Sequence, residues 1–141
     1  MRIADVLRGK GTGVATVAPS VTVAELVATL ASYNVGALPV VDGGELVGIV
    51  SERDVVRQLH AAGASLLERR VSDIMTAGVT TCAPGDQVAD LAKIMTAGRF
   101  RHLPVLENGA LVGIVSIGDL VKARIDLLES EREQLQHYIA G

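Results

Sequence analysis

The sequence predicts an α/β fold in which two βαββα repeats pack sheet to sheet about a pseudo-two-fold axis, followed by a C-terminal helix. Residues 16–57 align with residues 81–122 at an offset of 65 without a gap, and 18 of the 42 aligned positions are identical. The segment Leu-Val-Gly-Ile-Val-Ser occurs whole in both copies, at 46–51 and 111–116. The predicted strands are apolar almost throughout, which is typical of strands covered on both faces.

Each repeat is predicted to contain the same five elements, assigned from apolar periodicity and turn residues. The elements of the first repeat are a strand at 14–17, a helix at 23–32, strands at 37–41 and 46–50, and a helix from 52 to 61. Those of the second are a strand at 79–82, a helix at 88–97, strands at 102–106 and 111–115, and a helix from 118 onward. Because neither sheet can cover both of its own faces, we expect one shared core between the repeats.

The repeats divide the chain into four segments. These are an N-terminal lead-in at 1–13, the first repeat at 14–70, the second repeat with its lead-in at 71–124, and a helical tail at 125–141. Residues 3–7 match residues 71–75 at an offset of 68, so a glycine-rich stretch makes the first lead-in three residues longer. The tail is expected to pack on the module or on a second copy, or else to be a solvated charged helix.

Composition excludes several classes of function. The net charge of −3 argues against nucleic acid as the primary ligand, and no apolar run reaches the roughly 18 residues that cross a membrane. The N-terminus lacks the pattern of a signal peptide, so we expect a cytoplasmic protein. His60 and His137 stand alone, so no metal site is expected, and Cys82 is expected to be a buried small hydrophobe.

The two strand-to-helix junctions are the main candidates for chemistry. Each has the pattern Ser-x-x-Asp, formed by Ser51 and Asp54 in the first repeat and by Ser116 and Asp119 in the second. A helix N-terminus favours phosphate, and an aspartate in its first turn can accept hydrogen bonds from two adjacent ribose hydroxyls. The alternative is a capping box, in which the serine and the acid only terminate the helix. The two interpretations are compatible.

A basic pair distinguishes the second repeat from the first. Arg101 and His102 precede its second strand, where the first repeat has Gly36 and Ala37. Such a pair can bind phosphate oxygens by charge-assisted hydrogen bonds, although a solvated loop is the alternative. The first repeat carries its charge elsewhere, at Arg53 and Arg57, so we expect two unequal sites.

Together the repeat, the Leu-Pro-Val strands and the Gly-Ile-Val-Ser-x-x-Asp junctions resemble a pair of cystathionine-β-synthase (CBS) domains, also called a Bateman module. The stretches 101–105 and 116–122 are similar to small stand-alone bacterial members. The resemblance implies a regulatory homodimer, not an enzyme, with an unknown downstream protein. Its ligand would be AMP, ADP, ATP, NAD(H) or S-adenosylmethionine, with no obligatory cofactor. The alternative is a dimeric scaffold protein with vestigial sites.

The resemblance also implies two nucleotide sites, with aspartate on ribose, basic residues on phosphate and strand-entry backbone on adenine. The second-repeat site would comprise Thr12, Gly13, Val14, Arg101, His102, Ser116, Gly118 and Asp119. The first-repeat site would comprise Gly36, Ala37, Ser51, Arg53, Asp54, Gly78, Val79 and Thr80. Because the basic pair belongs to the second repeat, we expect the Asp119 site to bind better.

Overall fold

The computed structural model describes residues 1–11 and 13–140, and it confirms an α/β fold of two repeats with a C-terminal helix. The helices are α1 (Ile3–Lys10), α2 (Val23–Tyr33), α3 (Glu52–Ala62), α4 (Val71–Ile74), α5 (Val88–Gly98) and α6 (Ile117–Ala140). A 3-10 helix, Gly63–Glu68, follows α3. The strands are β1 (Ala37–Asp42), β2 (Glu45–Ser51), β3 (His102–Glu107) and β4 (Ala110–Ser116).

Each repeat has one antiparallel hairpin, β1 with β2 and β3 with β4. The turn residues explain the hairpins, because both central positions have positive φ: 58° and 83° at Gly43 and Gly44, and 52° and 81° at Asn108 and Gly109. Glycine and asparagine tolerate this conformation, and turns of this hand match the twist of the strands.

The predicted first strand of each repeat is reduced to a single parallel bridge, Val17 with Val40 and Cys82 with Val105. The N–H of Val17 donates to the Pro39 carbonyl at 3.1 Å, and the N–H of Val41 donates to the Val17 carbonyl at 2.9 Å. To extend this ladder towards the N-terminus of the strand, residue 39 would have to donate a backbone N–H, and proline has none. The equivalent Pro104 has the same effect in the second repeat.

The core consists of two clusters, and each lead-in belongs to the cluster of the other repeat. Ile3 and Val6 are buried with the second repeat, whereas Val71 and Ile74 are buried with the first. The sequence-based division, which joined residues 71–75 to the second repeat, therefore does not follow the packing. The expectation of one shared core is also replaced: two cores are linked by exchanged helices, with β2 in contact with β4.

Helix α6 is anchored only at its beginning. Leu120 is its buried residue, whereas Ile125 and Leu128 are about half exposed and Tyr138 is 84% exposed. Of the two predicted alternatives, a packed helix and a solvated one, the tail within this single chain is the solvated helix. Among residues 1–11 and 13–140, no helix has the length and apolar character needed to cross a membrane.

Candidate functional site

Both junctions form the predicted capping box. The N–H of Ser51 donates to Oδ2 of Asp54 at 2.9 Å, and the N–H of Asp54 donates to Oγ of Ser51 at 3.3 Å. The corresponding distances between Ser116 and Asp119 are 2.8 Å and 3.0 Å. The serine and aspartate therefore start each helix in the same way, and any difference between the sites has to come from their surroundings.

A cleft of about 300 Å³ opens at the first junction, between the two repeats. It is lined by all eight residues that were assigned to the first-repeat site from the sequence: Gly36, Ala37, Ser51, Arg53, Asp54, Gly78, Val79 and Thr80. The segment 78–80 belongs to the second repeat, so the cleft is built from both halves of the chain. The structure thus brings this group together in one place.

The basic pair lines this same cleft, whereas the sequence interpretation grouped it with Asp119. The pseudo-two-fold axis places Arg101 and His102 opposite their counterparts in the first repeat. A Cβ added to Gly36 would lie 3.6 Å from Nε2 of His102 and 3.2 Å from Oε1 of Glu52. His102 therefore lies in van der Waals range of Gly36, and the tighter approach at this glycine is that of the Glu52 carboxylate. Spacing along the chain could not reveal this exchange.

The cleft carries a surplus of positive charge. Four arginines line it, at positions 53, 57, 99 and 101, against two carboxylates, Glu52 and Asp54. The chain as a whole has a net charge of −3, so the basic residues are concentrated here. Burial lowers the pKa of His102 below its ordinary value, although the carboxylates of Asp119 and Glu52 oppose this effect. An uncharged imidazole therefore lies beside the arginines at neutral pH.

Six further residues line the cleft that were not assigned to it from the sequence: Ile49, Glu52, Arg57, Thr76, Arg99 and Phe100. Arg57 follows Arg53 by one helical turn of α3, and this spacing is a signal that points to a shared face. The position of Phe100 depends on packing instead. A Cβ at Gly98 would overlap the ring of Phe100, so only glycine permits this ring position.

The second junction has a different environment. Nζ of Lys10 lies 2.7 Å from Oδ2 of Asp119 and 2.7 Å from the carbonyl oxygen of Ile114. Partial burial alone would raise the pKa of Asp119, but hydrogen bonds from Lys10 and Ser116 outweigh it and hold the pKa below its usual value. Asp54 has no ion pair among the residues described.

The other described residues assigned to the second-repeat site differ in their exposure. Gly13 and Gly118 are exposed, and Val14 and Ser116 are half-buried. Thr12 lies outside the described residues. Arg101 and His102 line the cleft at Asp54. His102 also pairs with Ser116 across the β3–β4 hairpin and lies within electrostatic reach of Asp119, so the basic pair lies between the two junctions.

The family model of the CBS domain matches residues 5–61 and 71–126, one match for each repeat. The chain belongs to the CBS-domain family. This confirms the resemblance noted from the sequence. The second matched range begins at residue 71, so the matches group each lead-in with the repeat that follows it in the chain and do not show the exchange of lead-ins in the packing.

Known proteins similar to this CBS pair include both curated and solved examples. The mitochondrial CBS domain-containing protein CBSX3 of Arabidopsis thaliana is 39% identical over 125 residues, 85% of this chain and 61% of its own length. A CBS-domain protein of Agrobacterium tumefaciens has a crystal structure with a TM-score of 0.85, at 46% identity, covering 88% of this chain and 99% of that one. CBSX2, solved in complex with AMP, has a TM-score of 0.73 at 28% identity, covering 89% and 97%.

Cys82 of this CBS pair is buried. Burial, with a smaller contribution from the Asp86 carboxylate, raises the pKa of the Cys82 thiol to about 11, so the residue is a buried, weakly reactive thiol. Within residues 1–11 and 13–140, no three His, Cys, Asp or Glu side chains cluster as metal ligands do.

Proposed function

We propose that this CBS pair is a regulatory, non-enzymatic protein that binds an adenine nucleotide in the cleft at Asp54. The observation that carries the proposal is the cleft itself, in which the Asp54 carboxylate faces the space between the repeats together with four arginines. The two hydroxyls of a ribose can donate hydrogen bonds to the carboxylate, and the phosphates can accept hydrogen bonds from the arginines that line the cleft. The AMP complex of the similar protein CBSX2 supports this choice of ligand class.

The charge of the cleft narrows the set of ligands. Arginine side chains bind phosphate oxygens by paired hydrogen bonds, so AMP, ADP, ATP and NAD(H) all fit the wall formed by Arg53, Arg57, Arg99 and Arg101. S-adenosylmethionine carries a sulfonium cation and no phosphate. The surplus of positive charge therefore favours the phosphate-bearing ligands.

The same geometry favours binding over catalysis. A nucleophilic serine needs an adjacent general base that removes its proton. The hydroxyl of Ser51 does donate to a carboxylate, Oδ2 of Asp54 at 3.1 Å, but that oxygen also accepts the N–H of Ser51, and the hydroxyl oxygen accepts the N–H of Asp54. Because this hydroxyl is occupied by the helix cap, it is not set up to attack a phosphate.

Isothermal titration with AMP tests the proposal on the wild type, Asp54→Ala and Asp73→Ala. Asp73 caps α4 by accepting the N–H of Arg70 at 3.1 Å and does not line the cleft, so it controls for the lost cap. Hydrogen bonds to charged groups contribute about 1.5–3 kcal/mol, which corresponds to roughly 10- to 100-fold in affinity. We expect that loss in Asp54→Ala and affinity like wild type in Asp73→Ala.

A thermal-shift series gives an independent check. A ligand at about 100 times its dissociation constant stabilises the fold by about 2.7 kcal/mol, which raises the Tm of a chain of this size by roughly 5–10 °C. We expect AMP, ADP, ATP or NAD(H) to produce such a shift. If none of them moves the Tm, the proposal fails in favour of a dimeric scaffold with vestigial sites.

Signalling would then be a population shift in a cytoplasmic homodimer. A ligand that contacts both repeats favours one relative orientation, and an unidentified downstream protein responds to that surface. Exposed apolar residues at equivalent positions support the dimer: Val56 on α3 is 66% exposed and Val121 on α6 is 52% exposed. An apolar groove of about 430 Å³ lies beside Val121.

Sedimentation velocity tests the dimer. Val56→Asp and Val121→Asp place a charge on each of the two equivalent faces and should both yield a monomer, because desolvating an unpaired carboxylate is costly. Val35→Asp, at a residue that is also partly exposed but on neither helix, should stay dimeric. A wild-type chain that sediments as a monomer would contradict this part of the proposal.

A further inference from the structure

The two lead-ins make equivalent contacts but end differently. Each packs against a strand glycine of the opposite repeat: a Cβ at Gly48 would lie 2.6 Å from Sδ of Met75, and one at Gly113 would lie 2.7 Å from Cδ2 of Leu7. Helix α4 has four residues and α1 has eight. The longer helix therefore continues beyond the point at which its counterpart stops.

The contacts beyond this point also differ. After α4, the chain is extended, and Thr76 exchanges two backbone hydrogen bonds with Ile49, of 2.9 Å and 3.0 Å. After Leu7, α1 continues to Lys10. The ammonium group of Lys10 donates a hydrogen bond to the carbonyl oxygen of Ile114, which is the equivalent of Ile49. A side-chain cation replaces a backbone pair at the edge of the second junction.

The same ammonium group lies on the Asp119 carboxylate, at 2.7 Å from Oδ2. We propose that Lys10 occupies the ribose position of the equivalent site at Asp119 and holds that site closed. This inference rests on the nucleotide site proposed above. The position is one that a ribose hydroxyl would take, because it is within hydrogen-bond distance of the carboxylate of the Ser-x-x-Asp pattern. The CBS pair then binds its first nucleotide at Asp54, and the second site opens only when Lys10 is displaced.

The closure is reversible because the pair is only partly buried, with exposed fractions of 36% for the Lys10 side chain and 25% for Asp119. A ligand that enters must displace the ammonium group from two oxygen acceptors. Lys10 also lies in the last turn of α1, where the helix dipole favours a basic residue. Both the ion pair with Asp119 and the dipole of α1 therefore favour this position of the Lys10 ammonium group.

The test measures the Asp119 site alone, in an Asp54→Ala background. Isothermal titrations with adenosine and with AMP compare Asp54→Ala, Asp54→Ala/Lys10→Met and Asp54→Ala/Lys93→Met. Methionine keeps the length and apolar stem of Lys10 but removes the charge. Lys93 is an exposed lysine on α5, without an ion pair among the residues described, so its replacement controls for net charge.

We expect Lys10→Met to tighten adenosine binding about tenfold, equal to about 1.4 kcal/mol, and Lys93→Met to leave it unchanged. Unchanged adenosine affinity in Lys10→Met overturns the closure. Weaker AMP binding with unchanged adenosine also overturns it, because Lys10 would then be a phosphate ligand. Circular dichroism melts of all three proteins establish that each is folded.

Failure of this inference is distinguishable from failure of the proposed function. Wild type that binds AMP through Asp54, with no gain in Lys10→Met, overturns the closure alone. Wild type that does not bind AMP, with a gain in the Lys10→Met background, overturns the proposed site at Asp54 and supports the closure. Absence of binding in every protein overturns both.

Discussion

The two strand-to-helix junctions have the same local structure and different surroundings. Ser51 with Asp54 and Ser116 with Asp119 form the same capping box, with hydrogen bonds that differ by at most 0.3 Å. The first junction faces a cleft lined by four arginines, whereas the second holds the ammonium group of Lys10. A local motif thus determines how a helix begins, and residues distant in the chain determine whether its aspartate is accessible.

The second comparison concerns the segment before the second strand of each repeat. Gly36 and Ala37 in the first repeat and Arg101 and His102 in the second line the same cleft. The charge carried by the second repeat therefore lines the cleft at the first junction. This arrangement follows from the pseudo-symmetry, because the axis places the equivalent segments of the two repeats opposite each other in one cleft.

The largest expected effect compares the two cores. Leu38→Ala and Leu103→Ala each remove a side chain that is at most 1% exposed, one in each cluster, and each should lower the free energy of unfolding by about 2–5 kcal/mol. Because the lead-ins are exchanged, each variant should still unfold in a single transition. Urea titration followed by circular dichroism measures both quantities. Two separate transitions in either variant would show that the repeats unfold independently.

The next effect compares the two close approaches at strand glycines. A Cβ at Gly48 would lie 2.9 Å from the carbonyl oxygen of Thr76, which is backbone, whereas a Cβ at Gly113 meets only the flexible end of Leu7. Gly48→Ala should cost about 1–3 kcal/mol, and Gly113→Ala should cost less. Equal midpoints of urea unfolding for the two variants would contradict the assigned contacts.

A smaller effect separates phosphate from ribose binding at the first junction. Arg101→Ala should weaken AMP about tenfold, equal to about 1.4 kcal/mol, and leave adenosine unchanged. The matched control is Arg132→Ala, on the exposed part of α6, with no effect on either ligand. Isothermal titration with both ligands makes the comparison. Equal losses for AMP and adenosine in Arg101→Ala would refute its role at the phosphate.

The smallest effect concerns the ion pair at the second junction. The pKa of Asp119 is below its ordinary 3.8 in the folded chain, so the pair stabilises the fold above that pH and loses its effect as pH falls through the folded pKa. An exposed pair contributes about 0–1 kcal/mol. Urea unfolding should therefore show wild type more stable than Lys10→Met by at most that amount at pH 6, and the difference should shrink as the pH is lowered below 3.8. A difference that does not depend on pH would come from something other than this pair.

The sequence by itself determined the repeats, the helices and hairpins, and the capping boxes. These features depend on residues close together in the chain: the period of the apolar residues, the Gly-Gly and Asn-Gly turns, and the serine three residues before each aspartate. Recognition of the family followed from the same local patterns, repeated in register.

Tertiary structure alone decided which residues share a site. The loss of the first strands depends on Pro39 and Pro104 as partners in a ladder, the exchange of lead-ins depends on two separate cores, and the position of Lys10 on Asp119 joins residues more than a hundred positions apart. Contacts of this kind leave no periodic signal, because burial and charge pairing act through space. The sequence could therefore identify both aspartates, and only the fold distinguishes the accessible one from the one that Lys10 occupies.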